Sequence, residues 1–144
     1  VSQRNVARLN TDGSLDESFT GAVTNSGDVV SVAVDSSGNI LMGGWFSTVN
    51  SISRSYVVRF SSAGVLDSGF NTPDVDSAVY TITPQSDGTT ILGGYLTHGI
   101  VRVASDGSKD QSFIGQTNNG AVYAVAVQSG TGDVLVGGSF TAAV

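Results

Sequence analysis

Hydrophobic residues alternate with small or polar ones along several short stretches of this chain. In VVSVAVD, residues 29–35, bulky apolar side chains alternate with small or polar ones from Val30 onward. This period of two predicts a β-strand, because successive side chains of a strand point to opposite faces. The pattern returns twice, and the bulky positions form three corresponding sets: Val30, Val32, Val34; Tyr80, Ile82, Pro84; Tyr123, Val125, Val127.

A turn follows each of these strands, and a second apolar strand follows the turn. The turns read SSGN, SDGT and SGTGD, and the second strands read ILMGGWF (40–46), TILGGYL (90–96) and VLVGGSF (134–140). Gly, Asn, Asp and Ser are the residues that tight turns between antiparallel strands favour. Each strand–turn–strand stretch therefore predicts a β-hairpin.

A pair of glycines interrupts the second strand of every hairpin: Gly43-Gly44, Gly93-Gly94 and Gly137-Gly138. Glycine weakens a strand because it offers no side chain to pack. We expect the pairs to allow a close backbone approach or a β-bulge, with a bulky side chain of a neighbouring sheet lying over them. The candidates for that side chain are Val30, Tyr80, Tyr123, Phe19, Phe70 and Phe113. The alternative is a glycine-lined cradle for a ligand.

The hairpins are part of a longer repeat that also contains an arginine, an aspartate and a phenylalanine. Residues 5–19, 56–70 and 99–113 match one another, and they align Arg8, Arg59 and Arg102; Asp16, Asp67 and Asp110; and Phe19, Phe70 and Phe113. An Arg–carboxylate pair can clamp a ligand. Because every unit carries this pair, we expect it instead to brace the turn between its two members.

The repeat predicts an all-β, β-propeller-type array in a single domain, residues 1–144. The repeats cover about 5–49, 56–98 and 99–144, with three or four antiparallel strands in each, which fits the blade of a propeller. Propellers usually close with four to eight blades. We therefore expect the array to be completed by further copies of this chain or by the remainder of a longer parent, and Val1 in place of an initiator methionine agrees with a processed or longer chain.

The repeat resembles a known bacterial family, the delta-60 repeat β-propellers. VYAVAVQSGTGDVLVGGSFT (122–141) is similar to the first half of the family's unit, and RNVARLNTDGSLDESF (4–19) is similar to the second half. This chain departs from the family pattern at Pro84, at Ala63-Gly64 and at Lys109. The resemblance implies a propeller fold, and a place in large bacterial surface or secreted proteins or in phage structural proteins. It implies no common ligand or activity.

Charge and composition exclude several classes of function. The net charge is −6 with only six Lys and Arg residues, so the chain has no basic face for nucleic acid. No apolar run approaches the roughly 20 residues of a membrane span. The chain has no cysteine and one histidine, His98, so a metal or cofactor site of the usual Cys/His type is not expected. DGSLD (12–16) and DGSKD (106–110) are too short for calcium loops, and calcium stays a minor alternative to simple turns.

Residues that occur in one or two units are the candidates for contact with a ligand or a partner. Trp45 and Tyr95 follow the glycine pair in two units, where the third unit has Ser139. Their rings suit either packing between sheets or stacking on a sugar. The polar stretch 47–55 is longest in the first unit, and we expect Asn50 and Arg54 to be its contact residues.

The sequence therefore predicts a non-catalytic structural, assembly or adhesion module. We expect it in an extracellular, cell-surface or virion-associated protein, with further copies or the rest of a parent chain as its partner. The alternative is a carbohydrate-binding propeller. An enzyme ranks third, because no unit combines a nucleophile, a base and a residue to orient them.

Overall fold

The chain folds into a series of small antiparallel β-sheets. The computed structural model describes residues 5–19 and 24–144. These residues form no helix that is long and apolar enough to cross a membrane. Their strands are β1 (Thr24–Ser26), β2 (Val29–Val34), β3 (Ile40–Gly44), β4 (Thr48–Val49), β5 (Ile52–Ser53), β6 (Val57–Phe60), β7 (Val79–Pro84), β8 (Thr90–Gly94), β9 (Ile100–Val103), β10 (Thr117–Asn118), β11 (Val122–Val127), β12 (Val134–Gly138) and β13 (Ala142–Ala143).

Three sheets correspond to the three hairpins of the repeat, and we call them blades 1, 2 and 3. Blade 1 has the strand order β2-β3-β6, blade 2 has the order β7-β8-β9, and blade 3 contains β11 and β12. The paired strands of every blade run antiparallel. They are consecutive in sequence except in blade 1, where β4 and β5 come between β3 and β6. There are two smaller sheets among the described residues. The sheet β1-β4-β5 combines a strand before β2 with two strands between β3 and β6, and the sheet β10-β13 combines a strand before β11 with one after β12.

Each blade begins with a β-bulge. In blade 1, Val29 is paired with Gly44 but Ser31 is paired with Gly43, so Val30 is an extra residue. The same shift occurs between Val79 and Thr81 in blade 2, and blade 3 repeats it. A bulge changes which side chains share a face of the strand. Simple alternation along these strands, as the sequence pattern predicts it, is therefore wrong at their first two residues.

The blades pack face to face and form the core between them. The first strands β2, β7 and β11 lie side by side, and the middle strand of each blade packs on the first strand of the next. The main cluster joins blades 1 and 2; it contains Leu41, Val57, Phe70, Val79, Leu92, Val101 and Val103. This arrangement of successive antiparallel sheets confirms the predicted all-β, propeller-type fold.

Residues 5–19 lie on the outer side of blade 1. A single bridge, Leu9 to Leu15, closes their turn, as the bridges Phe60–Leu66 and Val103–Lys109 do in blades 1 and 2. Phe19 is buried in a cluster with Val58 and Phe60 of blade 1. The segment is thus a third strand and turn without hairpin strands of its own.

Candidate functional site

The first glycine of each pair makes room for the next blade. A β-carbon at Gly43 would lie 2.7 Å from Cγ1 of Val79 and 3.0 Å from Cδ1 of Ile82. One at Gly93 would lie 2.7 Å from Cγ1 of Val122. A neighbouring blade therefore covers each of these glycines, and the space that a ligand cradle would need is filled.

The residues that cover the glycines differ from those expected. Val30, Tyr80, Tyr123 and the three repeat phenylalanines were the candidates, but the side chains nearest to Gly43 and Gly93 in the neighbouring blades are Val79, Ile82 and Val122. The bulge explains the difference, because it places Val79 and Ile82 on one face of β7 and turns Tyr80 away from it.

The second glycine of each pair meets backbone rather than a side chain. A β-carbon at Gly44 would overlap the carbonyl oxygen of Asp28. In the same way, a β-carbon at Gly94 would overlap the carbonyl oxygen of Ala78, and one at Gly138 that of Ala121. The same carbonyl of Asp28 accepts a hydrogen bond from the Trp45 N–H at 3.1 Å. Close backbone approach at the bulge thus requires glycine here.

Gly137 of blade 3 differs from its counterparts. Among the residues that the structure describes, the only atom within 4 Å of a β-carbon built there is the β-carbon of Ala124 in its own blade, at 4.0 Å. Leu135 on β12 is exposed as well. At the opposite end of the row formed by blades 1, 2 and 3, blade 1 exposes Val32 and Val34. Within the described residues, the outer face of blade 3 at β12 and the outer face of blade 1 at β2 are therefore apolar and uncovered.

The repeated arginine, aspartate and phenylalanine form one brace in each unit. The guanidinium lies 2.7–2.8 Å from the carboxylate in the pairs Arg8–Asp16, Arg59–Asp67 and Arg102–Asp110. It also lies over the ring of Phe19, Phe70 or Phe113, at 4.5–5.0 Å from the ring centre. The carboxylates are occupied by these partners and by neighbouring residues of the turn. Such an arrangement stabilises the turn.

The aspartates that start the turns also accept hydrogen bonds within the turn. The Asp12 carboxylate accepts from the backbone and the hydroxyl of Ser14, and Asp106 accepts in the same way from Ser108. These hydrogen bonds hold the pKa of both carboxyl groups below the usual value. In the part of the chain that the structure describes, no three Asp, Glu or His residues come together as a metal would require.

Three aromatic rings form a row across the blades. Trp45 of blade 1 meets Tyr80 of blade 2 edge to face, with ring centres 6.2 Å apart, and Tyr80 stacks on Tyr123 of blade 3 at 5.7 Å. Trp45 and Tyr95 are 57% and 63% exposed. The sequence pattern predicted contact residues at Trp45 and Tyr95 but did not predict the aromatic row. Tyr80 and Tyr123 occupy the extra position of the β-bulges in β7 and β11, and the sequence pattern does not show these bulges.

The stretch 47–55 forms a short hairpin, β4 and β5, that is anchored in the core. Val49 is fully buried in the cluster that contains Phe19 and Phe60. Asn50 lies exposed at the turn, with a φ of 49°. Arg54 is partly buried, and its guanidinium donates hydrogen bonds to the carbonyl oxygens of Ser53 and Ser68. Its buried Nε finds no hydrogen-bond partner within residues 5–19 and 24–144. Of the two expected contact residues, Asn50 is therefore the more accessible.

A known family matches most of the repeat. The model of a family described as "Domain of unknown function (DUF5122) beta-propeller" matches residues 1–19, 36–70 and 85–113, more than half of the chain. Each matched segment ends at the phenylalanine of a brace, Phe19, Phe70 or Phe113. No curated protein and no solved structure matches the chain.

Proposed function

This chain belongs to the DUF5122 beta-propeller family, and from that premise we propose that it is a non-catalytic structural module that assembles through the faces of its blades. The observation that carries the proposal is the uncovered Gly137. Its two counterparts, Gly43 and Gly93, each receive a valine of the next blade. A face built to receive a blade, and left open, is expected to bind one.

The opposite face of the row supports the same proposal. Val32 corresponds to Ile82, which lies over Gly43 where blade 2 meets blade 1. In blade 1, Val32 is 53% exposed. The row therefore ends in one face with a glycine notch and another with the side chain that fills such a notch. Faces that match in this way favour head-to-tail association.

Assembly can be tested by light scattering and sedimentation velocity over a range of protein concentrations. We expect oligomers that dissociate on dilution, and we expect Val32→Asp to abolish them. Val65→Asp is the matched control, because Val65 is also an exposed valine but lies in a turn of the third-strand segment. A monodisperse monomer at every concentration would contradict the proposal.

The proposal includes a location on the outside of a cell or a particle, and a role in assembly or adhesion there. Support comes from the composition, with 12% charged residues and many Gly, Ser and Thr, which suits a surface protein. Labelling of intact source cells or particles with an antibody against the chain tests this location. Labelling that needs permeabilised cells would overturn it.

Carbohydrate binding is the second candidate, and the aromatic row favours it. Trp45, Tyr80 and Tyr123 form a continuous strip of rings, and sugars stack on exposed aromatic faces. A glycan array tests this function. Specific hits that Trp45→Ala removes, while Val65→Ala leaves them unchanged, would support it; an array without hits would reject it.

A further inference from the structure

We propose that a cavity between blades 2 and 3 binds one ring of a neutral sugar, with Tyr95 as the stacking ring and Asn119 as the hydrogen-bonding residue. This site is separate from the aromatic row of Trp45, Tyr80 and Tyr123, and it does not depend on assembly through blade faces. It lies where one connection of the repeat is short.

The connection that follows the glycine strand differs in length between blades 1 and 2. In blade 1, residues 45–56 lead from β3 to β6 and form the hairpin of β4 and β5 on the way. In blade 2, residues 95–99 lead directly from β8 to β9, and the Gly99 N–H closes their turn by donating to the Leu96 carbonyl at 2.9 Å. Blade 2 thus has no counterpart of the hairpin, and residues 117–120, which lead into blade 3, border the space beside the turn.

The space beside the turn is a cavity of about 260 Å³. It is lined by residues of the turn and of the segment before blade 3: Tyr95, Leu96, Thr97, Thr117, Asn119 and Gly120. None of these residues carries a charged side chain, although the chain as a whole has a net charge of −6. Ligand pockets of proteins have volumes of roughly 300–1,000 Å³, so this cavity suits a single neutral ring rather than a longer chain.

Tyr95 provides an exposed aromatic face at this cavity. Its side chain is 63% exposed, and its backbone N–H donates to the Ala78 carbonyl at 2.9 Å, which fixes the position of the residue. Trp45, its counterpart in blade 1, contacts the ring of Tyr80, whereas Tyr95 contacts no other aromatic ring in the described parts of the chain. A free aromatic face beside a cavity is suited to stack on the apolar face of a sugar.

Asn119 and Thr97 provide hydrogen-bonding groups around the same cavity. The exposed side-chain amide of Asn119 forms no hydrogen bond within residues 5–19 and 24–144, so both its donor and its acceptor are available. The Thr97 hydroxyl donates to the carboxylate of Asp76, so its oxygen remains available as an acceptor. These groups complement hydroxyl groups, which donate and accept, and they require no charge on the ligand.

Thr117 is a buried polar residue of the cavity wall whose hydroxyl the fold does not pair. The residue is 3% exposed, and its hydroxyl has no hydrogen-bond partner among the residues that the structure describes. Its oxygen lies against Gly99 of the short turn, where a β-carbon would overlap it. A buried hydroxyl without a partner is unfavourable, and a hydroxyl group of a sugar in the adjoining cavity would supply that partner.

Nuclear magnetic resonance can locate the site directly. Isotope-labelled protein is titrated with the methyl glycosides of glucose, galactose, mannose, fucose and N-acetylglucosamine in turn. For at least one of them we expect saturable shifts of the amide signals of Tyr95, Thr97, Asn119 and Gly120. We expect a dissociation constant of about 1 mM, the weak affinity of a single ring in an open cavity. The absence of saturable shifts with all of these sugars would overturn the inference.

Two substitutions test the named contacts. Tyr95→Ala removes the ring, and Asn119→Gly removes the amide but keeps the freedom to adopt the positive φ of 57° that Asn119 has. We expect each to weaken binding of the sugar that shifts these signals by about tenfold, the effect of one lost contact. Val65→Ala is the control, because Val65 is exposed and does not line the cavity. Binding that neither Tyr95→Ala nor Asn119→Gly changes would contradict the proposed site.

Thr117→Val separates a role in binding from a role in the fold. Valine has nearly the shape of threonine but no hydroxyl, so the variant should be at least as stable as the wild type in thermal unfolding without sugar. Binding of the same methyl glycoside should nevertheless weaken several-fold. Unchanged binding would mean that this hydroxyl has no sugar partner and would overturn the inference.

The cavity and the aromatic row fail in different ways. Shifts confined to Trp45, Tyr80 and Tyr123, with binding that Trp45→Ala abolishes and Tyr95→Ala leaves unchanged, would place the sugar on the row and overturn this inference. Equal losses in the two variants would also overturn it, because the sites would then not be separate. Loss in Tyr95→Ala alone supports the cavity, even where light scattering shows that the chain does not associate.

Discussion

Val79 of blade 2 lies over Gly43 of blade 1, so close that a β-carbon on the glycine would stand 2.7 Å from the valine Cγ1. A β-branched side chain has few alternative rotamers, so Val79 has little freedom to move aside. We predict that Gly43→Ala lowers the free energy of unfolding by about 1–3 kcal/mol, the usual cost of overpacking. Urea unfolding followed by circular dichroism measures it.

Gly137→Ala is the matched comparison for that measurement. The nearest atom to a new β-carbon there lies 4.0 Å away, in ordinary contact distance. We predict unchanged stability, or a gain of up to about 1 kcal/mol from the reduced flexibility of the unfolded chain. A loss equal to that of Gly43→Ala would mean that glycine serves the strand itself and not the junction between blades.

We predict that the brace of blade 1 contributes more to the free energy of unfolding than its charge pair alone would. The Arg59 side chain is only 15% exposed, and it both bonds Asp67 and lies over Phe70. We predict that Arg59→Ala costs about 1–3 kcal/mol and that Arg59→Lys recovers only part of it, because an ammonium lacks the planar face for stacking. Chemical unfolding of both variants tests this, and full recovery by lysine would contradict it.

The same brace makes stability depend on pH. The hydrogen bond from the Arg59 guanidinium lowers the pKa of Asp67 below its ordinary value of 3.8, against the opposing effect of partial burial. Since folding lowers this pKa, the contribution is complete above the ordinary value and is lost as the pH falls through the folded value. We predict that Asp67→Asn is less stable near neutrality and that its curve converges with the wild type in acid.

Unfolding by urea at a series of pH values provides those two curves. Asp74→Asn is the control, because Asp74 is an exposed carboxylate outside the brace. Its curve should run parallel to that of the wild type. A constant offset between Asp67→Asn and the wild type, from neutral pH into acid, would show that the ionised carboxylate is not what stabilises the turn.

We predict that the hairpin 47–55 contributes to the stability of the fold mainly through Val49. Val49 is fully buried, whereas Ile52 on the paired strand is about half exposed. We predict that Val49→Ala costs about 2 kcal/mol, since it leaves a hole in the core. Ile52→Ala should change stability by less than about 0.5 kcal/mol. Equal effects in thermal unfolding would mean that the hairpin is not anchored at Val49.

The sequence predicted the repeat and the propeller-type fold because both follow from local patterns. Alternation with a period of two marks strands, and the recurrence of Arg8, Arg59 and Arg102 marks units that must pack in the same way. The brace is also local: each arginine lies eight residues before its aspartate, across one turn. The spacing of its members along the sequence was therefore enough to predict that they contact one another.

The contacts between blades were harder to predict, because they depend on register. One extra residue at Val30, and at Tyr80 in blade 2, decides which side chains share a face, and the alternating pattern of the strand itself does not mark it. The prediction therefore assigned Tyr80 to the glycine where the structure has Val79. The second glycine of each pair is the signal that could have located the bulge, since only a close backbone approach requires it.

The 47–55 hairpin was missed for a related reason. Its composition is polar, and its two apolar residues, Val49 and Ile52, are three positions apart, which does not give an alternating pattern. Asn50 and Ser51, both with positive φ, form the turn of the hairpin. The burial of Val49 anchors the hairpin to the core. The burial of Val49 arises from packing against blade 1, which composition does not encode.

The brace of Arg8, Asp16 and Phe19 is complete although its segment belongs to no sheet of its own. The contacts that close this turn all lie within the segment itself, from the Leu9–Leu15 bridge to the stacking of Arg8 on Phe19. The turn is therefore a self-contained unit whose geometry does not depend on a hairpin beside it.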